Sequence, residues 1–326
     1  MAPKKIADHI RDDTPAEQIS RPASRSTARR ATRGQSSILL AILLPSLVGA
    51  IALGVDVSVF YFNWAKLQRA ADAAALAGAA YLPDNTAAAT SAANNYAALN
   101  SIAGSEIVLN QIAADNLSIT VQFSRDVPYY FAKVLGLSSG QVVARATAGV
   151  ETAGAARNVI PIGVQYNTVY TYGQQLTLNT GVGPGNWDPL ALGGTGASVY
   201  GDNIVNGYQG MIHVGDMVPT ETGVMAGPTR SSFDTRISAG VSQFPGGTFS
   251  DHSLNDPRVV VTPMVDFAGI NGHSEVPVEG FAVLWLSSVA SNGKAITAYF
   301  IEQTVPGSEP GTTGTNFGAY RAVLTD

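Results

Sequence analysis

From Ser36 to Val55 the chain reads SSILLAILLPSLVGAIALGV, twenty residues without a charge. At ~1.5 Å per residue that length crosses a hydrocarbon core of ~30 Å. Pro45 falls mid-span, where it kinks a helix but is tolerated in a bilayer. Asp56 closes the run at the outer interface, where a carboxylate costs little because it can snorkel. Phe60, Tyr61, Phe62 and Trp64 follow as an aromatic belt at headgroup level. Leu67, Ala70, Ala71, Ala74, Ala75 and Ala79 then keep a helical spacing, and Ala is the best helix former. One helix is expected from the membrane to about Tyr81, where Pro83 stops it. Its small residues, Gly78 among them, would admit another helix closely or pack on the protein's own domain, and the pattern leaves both open.

The period then changes. DNTAAATSAANNYAALN predicts a polar Ala-rich helix with Asp84 or Asn85 as N-cap. Residues 117–124, LSITVQFS, alternate as a half-buried strand does. Val127–Leu135 predicts a short helix ending at Gly136, Gln141–Val150 a second strand, and AGAAR (153–157) a linker. Beyond it, VIPIGVQ, QLTLNT, GMIHVGD, RVVVTPMVDF, VEGFAVLWLSSVA, ITAYFIEQTV and a last YRAVLT predict short strands between Gly, Pro, Asn and Asp clusters. NIVNG (203–207) is read as the start of a short helix and GVMAGPTR (223–230) as a tight turn. The fold expected is α+β. An N-terminal transmembrane helix extends into a long Ala-rich helix with a small α/β module. A mainly antiparallel β domain, a sandwich or open barrel, follows.

Charge gives this pattern a direction. Residues 1–33 hold eight Lys/Arg against four Asp/Glu, and the rest of the chain eleven against twenty. Arg21, Arg25, Arg29, Arg30 and Arg33 precede the apolar run, so the positive-inside rule keeps that flank in the cytoplasm. A cleavable signal peptide fits poorly: the run is too long, and the small-residue sites at Ala75–Ala79 lie far past its end. The division expected is 1–33 a disordered basic cytoplasmic tail, 34–82 the transmembrane helix and its extension, 83–157 the α/β module, and 158–326 the β-rich domain. The acidic body argues against nucleic acid as a partner. With no cysteine, disulfides and thiolate chemistry are excluded.

Candidate chemistry is sparse. The histidines are His9, His213, His252 and His273. Ser250, Asp251 and His252 invite a triad reading, but no Gly-x-Ser-x-Gly elbow accompanies them. There is no His-Glu-x-x-His and no phosphate loop. Asp188, Asp202, Asp216 and Glu221 are oxygen donors of the type that binds Ca²⁺, without the spacing of a known loop. Trp187, Trp285 and Tyr208 could stack a glycan or fill a core. No catalytic residue, cofactor or metal is expected, and the protein is read as not an enzyme.

One stretch carries a resemblance. RGQSSILLAILLPSLVGAIALGVDVSVFYFNWAKLQRAADAAALAGAA resembles the N-terminal region of TadG-like proteins of the Tad/Flp pilus-assembly system, and a weaker likeness continues to about residue 152 through VPYYFAKVLGL and VVARATAGVE. The shared features are Arg33–Gly34–Gln35, the central Pro45, Asp56 at the outer end, and the Leu67–Ala79 string. The resemblance implies a single-pass protein of the cytoplasmic (inner) membrane, N-terminus inside and C-terminal domain extracytoplasmic, in the periplasm or at the cell surface. It would assist pilus assembly or anchoring and contact other pilus-assembly or envelope proteins. Lipid contact is expected through residues 36–62, with Asp56, Leu67, Ala70, Ala71, Ala74, Ala75 and Gly78 as helix-packing or assembly residues and self-association through the Ala-rich helix. Many family members carry a von Willebrand A-type domain; no strand-linked Asp-x-Ser-x-Ser stands outside the membrane region here. Gly34–Gln35 is placed like a prepilin-peptidase site, but Leu39 stands where pilins usually have Glu, which argues for an intact anchor. The alternatives are a membrane-tethered binding module for cell wall, glycan or protein, and a minor pilin.

Overall fold

The uncharged run and the alanine-rich segment behind it form one helix, α1 (Thr32–Ala79), in the computed structural model. Pro45 lies inside it. The structure describes residues 32–167, 170–180, 186–221, 225–268, 274–311 and 315–325. Contacts divide the chain after Gly54. Before that point the helix shows its leucines and isoleucines to the surroundings, with Ile38, Leu43 and Leu47 each more than 60% exposed. A helix apolar on every side and buried nowhere is long and apolar enough to cross a membrane.

From Val55 onward the chain builds its cores. Helix α2 (Thr86–Leu99) starts at Asn85, whose side chain accepts from the Ala88 N–H at 2.9 Å. Strands β1 (Ile107–Ile112), β2 (Ser118–Pro128) and β3 (Ser139–Ala156) form an antiparallel meander, with β2 and β3 in unbroken register from Ser118–Gly149 to Pro128–Ser139. The period-two pattern turns Ile119, Val121 and Phe123 inward, onto Leu67 and Ala70–Ala79 of α1 and onto Ala89, Ala93 and Ala97 of α2. Glu106, in a short 3₁₀ turn, grips Arg125 of β2 at 2.5 and 3.1 Å, and that hydrogen bond holds its carboxyl below the usual range.

The remaining strands are β4 (Ile162–Gln165), β5 (Gln175–Thr180), β6 (Asn186–Pro189), β7 (Ile212–His213), β8 (Met217–Pro219), β9 (Val259–Val265), β10 (Glu275–Val289), β11 (Ala295–Ile301), β12 (Gln303–Thr304), β13 (Glu309–Pro310) and β14 (Ala319–Leu324). Helices α3 (Ala197–Asn206) and α4 (Ala226–Gln243) interrupt them. One sheet runs β11-β5-β6-β4-β9-β10-β8, and β10 also pairs with β11, which curls it into a barrel-like form. It is mixed, since β4–β9 and β5–β6 are parallel. Tyr200 of α3 and Phe233 of α4 pack against its strands in one core. The last strand, β14, returns to the first sheet and pairs antiparallel with β3 from Tyr320–Thr152 to Leu324–Ala148.

Four local expectations are corrected. The AGAAR stretch is strand, not linker: β3 continues to Ala156, and Ala153, Ala155 and Ala156 are buried. The 127–135 helix shrinks to a 3₁₀ turn at Ala132–Leu135, because β2 holds the chain extended to Pro128; Gly136, at φ +84°, caps that turn. NIVNG closes α3 instead of opening a helix. Met225 precedes α4, so Gly227 and Pro228 lie in its first turn, where a missing N–H costs nothing.

Candidate functional site

Helical spacing puts Asp56, Phe60 and Leu67 on one side of α1, the side that meets the module. Asp56 is 4% exposed. Its Oδ1 accepts from the Tyr130 N–H at 2.7 Å, and its Oδ2 from Phe131 and Ala132 at 3.1 and 2.8 Å. Three successive amides at the head of the Ala132–Leu135 turn therefore converge on one carboxylate, a backbone nest of the kind that holds anions. One turn further on, Phe60 stacks on Tyr129 at 4.8 Å and 13°. Gly140 makes room for that pair: a Cβ there would lie 2.5 Å from Tyr129 Oη and 2.8 Å from Phe60 Cζ. The tip of the β2–β3 hairpin is thus clamped to the helix at the residue that closes the apolar run.

The other packing residues continue the seam. Leu67, Ala70, Ala71, Ala74 and Ala75 are fully buried against the chain's own strands and α2. A Cβ on Gly78 would stand 2.8 Å from Ile119 Cδ1 and 3.1 Å from the Ala89 carbonyl. What these small side chains admit closely in this fold is the chain's own sheet and its own second helix, α2. The Gly34–Gln35 bond lies in the first turn of α1.

At its far end the helix is tied to the β-rich part. Thr304 Oγ1 donates to the Ala80 carbonyl at 2.8 Å, and the Glu302 N–H donates to Asp84 Oδ2 at 2.8 Å. Burial pushes the Asp84 carboxyl up to about 8, with the nearby Glu302 charge adding and the amide bond opposing. Burial raises Glu302 as well, and Tyr172 beside them is pushed up to about 12.

The triad is not assembled. His252 Nε2 pairs with Gln303 Oε1 at 2.9 Å and its ring packs on Trp285, while Ser250 Oγ pairs with Thr248. The acidic loop residues are spread out: Glu221 accepts from the Gly196 N–H, and Asp216 from His213. Among the described residues no group of three or more His, Asp or Glu is placed to hold a metal ion. Trp187 and Trp285 are core residues, the first donating to the Leu178 carbonyl and the second lying under Arg258 at 4.3 Å. Tyr208 backs onto Gly193 and Gly210. His9 and His273 fall outside the described residues. The amides of 130–132 were invisible to motif reading, because a backbone donor has no side-chain signature; the exposed YYFAKVLGL string was the available sign.

The first helix is both an apolar run long enough to cross a membrane and, from Val55 onward, a core element of the following α/β module. Residues 34–80 match the model of a family described as Putative Flp pilus-assembly TadE/G-like, so the chain carries a TadE/G-like N-terminal region. Searches of curated proteins and of solved structures give no match to the chain.

Proposed function

We propose that this protein is a membrane-anchored, extracytoplasmic, non-enzymatic component of Tad/Flp pilus assembly or anchoring. The observation that carries the reading is the coincidence of the family match, residues 34–80, with α1. The matched stretch covers the apolar run, Asp56, and the small residues that seat the module. On this reading residues 36–62 cross or touch the cytoplasmic membrane, with the basic N-terminal flank inside and residues 65–326 outside. The module and barrel-like sheet then present surface to other pilus or envelope proteins.

A deletion strain tests the role. Loss or shedding of pili, restored by the full chain and not by a chain whose apolar run is broken by charges, is the expected result. Normal numbers of firmly retained pili overturn it. The intact mass of the membrane-extracted chain separates the anchor from the minor pilin: residues 1–34 retained fit an anchor, whereas a chain beginning at Gln35 and recovered in sheared filaments fits a pilin.

A further inference from the structure

We propose that the tip of the β2–β3 hairpin, residues 130–137, is a second membrane-seated element that enters the outer interfacial layer of the bilayer crossed by α1. The inference rests on α1 being a transmembrane span.

Depth is the first argument. Asp56 directly follows the apolar run, so in a membrane-crossing helix it sits at the outer edge of the hydrocarbon. The tip donates three amides to that carboxylate, so it lies at the same depth. The belt residues Tyr61, Phe62 and Trp64 stand further out along the helix, by about 8–12 Å at the helical rise. A tip reaching down to Asp56 therefore passes the headgroup level they mark.

Its surface is the second. Tyr130, Phe131, Val134, Leu135 and Leu137 are exposed by 63, 46, 89, 75 and 53%. Five large apolar side chains presented within eight residues form a patch; elsewhere after residue 65, among the described residues, such side chains are exposed in ones and twos. Lys133, also exposed, is long enough to reach phosphates from among them.

Backbone pairing is the third. Pairing lowers the cost of taking a loop's donors into an apolar phase. Here Tyr129 donates to the Ser138 carbonyl, Val134 to Phe131, Gly136 to Lys133 and Leu137 to Ala132, while the amides of 130–132 go to Asp56. Asp56 gains equally, since a carboxylate at the hydrocarbon edge is costly unless hydrogen bonded. Lipid is the occupant that the position selects, because the patch is bonded to Asp56, the residue that directly follows the apolar run.

The chain has no cysteine, so single labels are straightforward. Full-length Val134→Cys, Ile42→Cys and Lys294→Cys proteins would each carry an environment-sensitive fluorophore and be reconstituted in phosphatidylethanolamine–phosphatidylglycerol vesicles containing lipids brominated near the top of the acyl chain. The expected result is quenching at residue 134 several-fold above that at residue 294, with residue 42 responding best to deeper bromines. Quenching at 134 no greater than at 294, with residue 42 quenched, overturns the seated tip and leaves the span standing. A blue-shifted but unquenched label at 134 means that protein, such as a second copy, covers the tip, and overturns it too. An unquenched residue 42 defeats the span and the tip together.

Discussion

Asp56 shows how one side chain reconciles two environments. Its sequence position suggests a charge that snorkels at a membrane edge, but the structure gives it three fixed amide partners from residues 130–132. Charge-assisted bonds of this kind are stronger than neutral ones, and losing the acceptor leaves three donors unpaired, that of the buried Ala132 among them. Asp56→Ala is expected to lower the denaturant midpoint of the detergent-solubilised chain, and Asp56→Asn, which keeps one carbonyl oxygen, to lower it by less. Hydrogen exchange at residues 130–132 should rise in the same order. Unchanged protection in Asp56→Ala would show that the tip is held by the Phe60–Tyr129 stack alone.

At the level of elements, α1 seats the module through the smallness of its side chains. Gly78 faces Ile119 and α2 so closely that a β-branched side chain there forces them apart. Gly78→Val should cost about 1–3 kcal/mol as overpacking, read as a lower denaturant midpoint, whereas Ala77→Val beside it, only half-buried, should cost less. The helix itself was legible in the sequence, since twenty uncharged residues and an alanine string at helical spacing admit few other structures. The strands were legible where apolar residues ran together, as in β9 and β10, or alternated, as in β5. Two features were not. Residues 226–243 carry Gly, Pro, Ser and Thr without a clear apolar stripe, so α4 owes its existence to packing through Thr229, Phe233 and Gly240. AGAAR read as a linker because small residues are ambiguous. In the fold they are a packing solution: a Cβ on Gly154 would lie 2.4 Å from the Pro310 carbonyl oxygen of β13. The nest around Asp56 joins residues 74–76 apart in sequence, a distance no local pattern reports.

For the molecule as a whole, the seam between Asp84 and Glu302 makes stability depend on pH. Asp84 has an ordinary value of 3.8 and is held at about 8 in the fold, so between those values the native state keeps a proton that the unfolded chain has released. The stability this contributes is complete at low pH and is lost as pH rises through about 8. Burial shifts Glu302 in the same direction. Glu106 has the opposite sign: its lowered carboxyl supports the fold above 4.5 and loses that support as pH falls through its native value. Between pH 5 and 8 the denaturant midpoint should therefore decline, with a ceiling of about 1.4 kcal/mol per pH unit for each group, and Asp84→Asn should flatten the decline. An equally steep slope in the variant would assign it to other groups.

The pairing of β14 with β3 also sets a timetable. A chain delivered N-terminus first has its first helix and the first three strands of its sheet in place while residues 319–324 are still to come. Until then the edge of β3 at residues 148–152 stays unpaired, open to strands of other chains. Made first, this sheet is nonetheless completed only when residues 319–324 arrive.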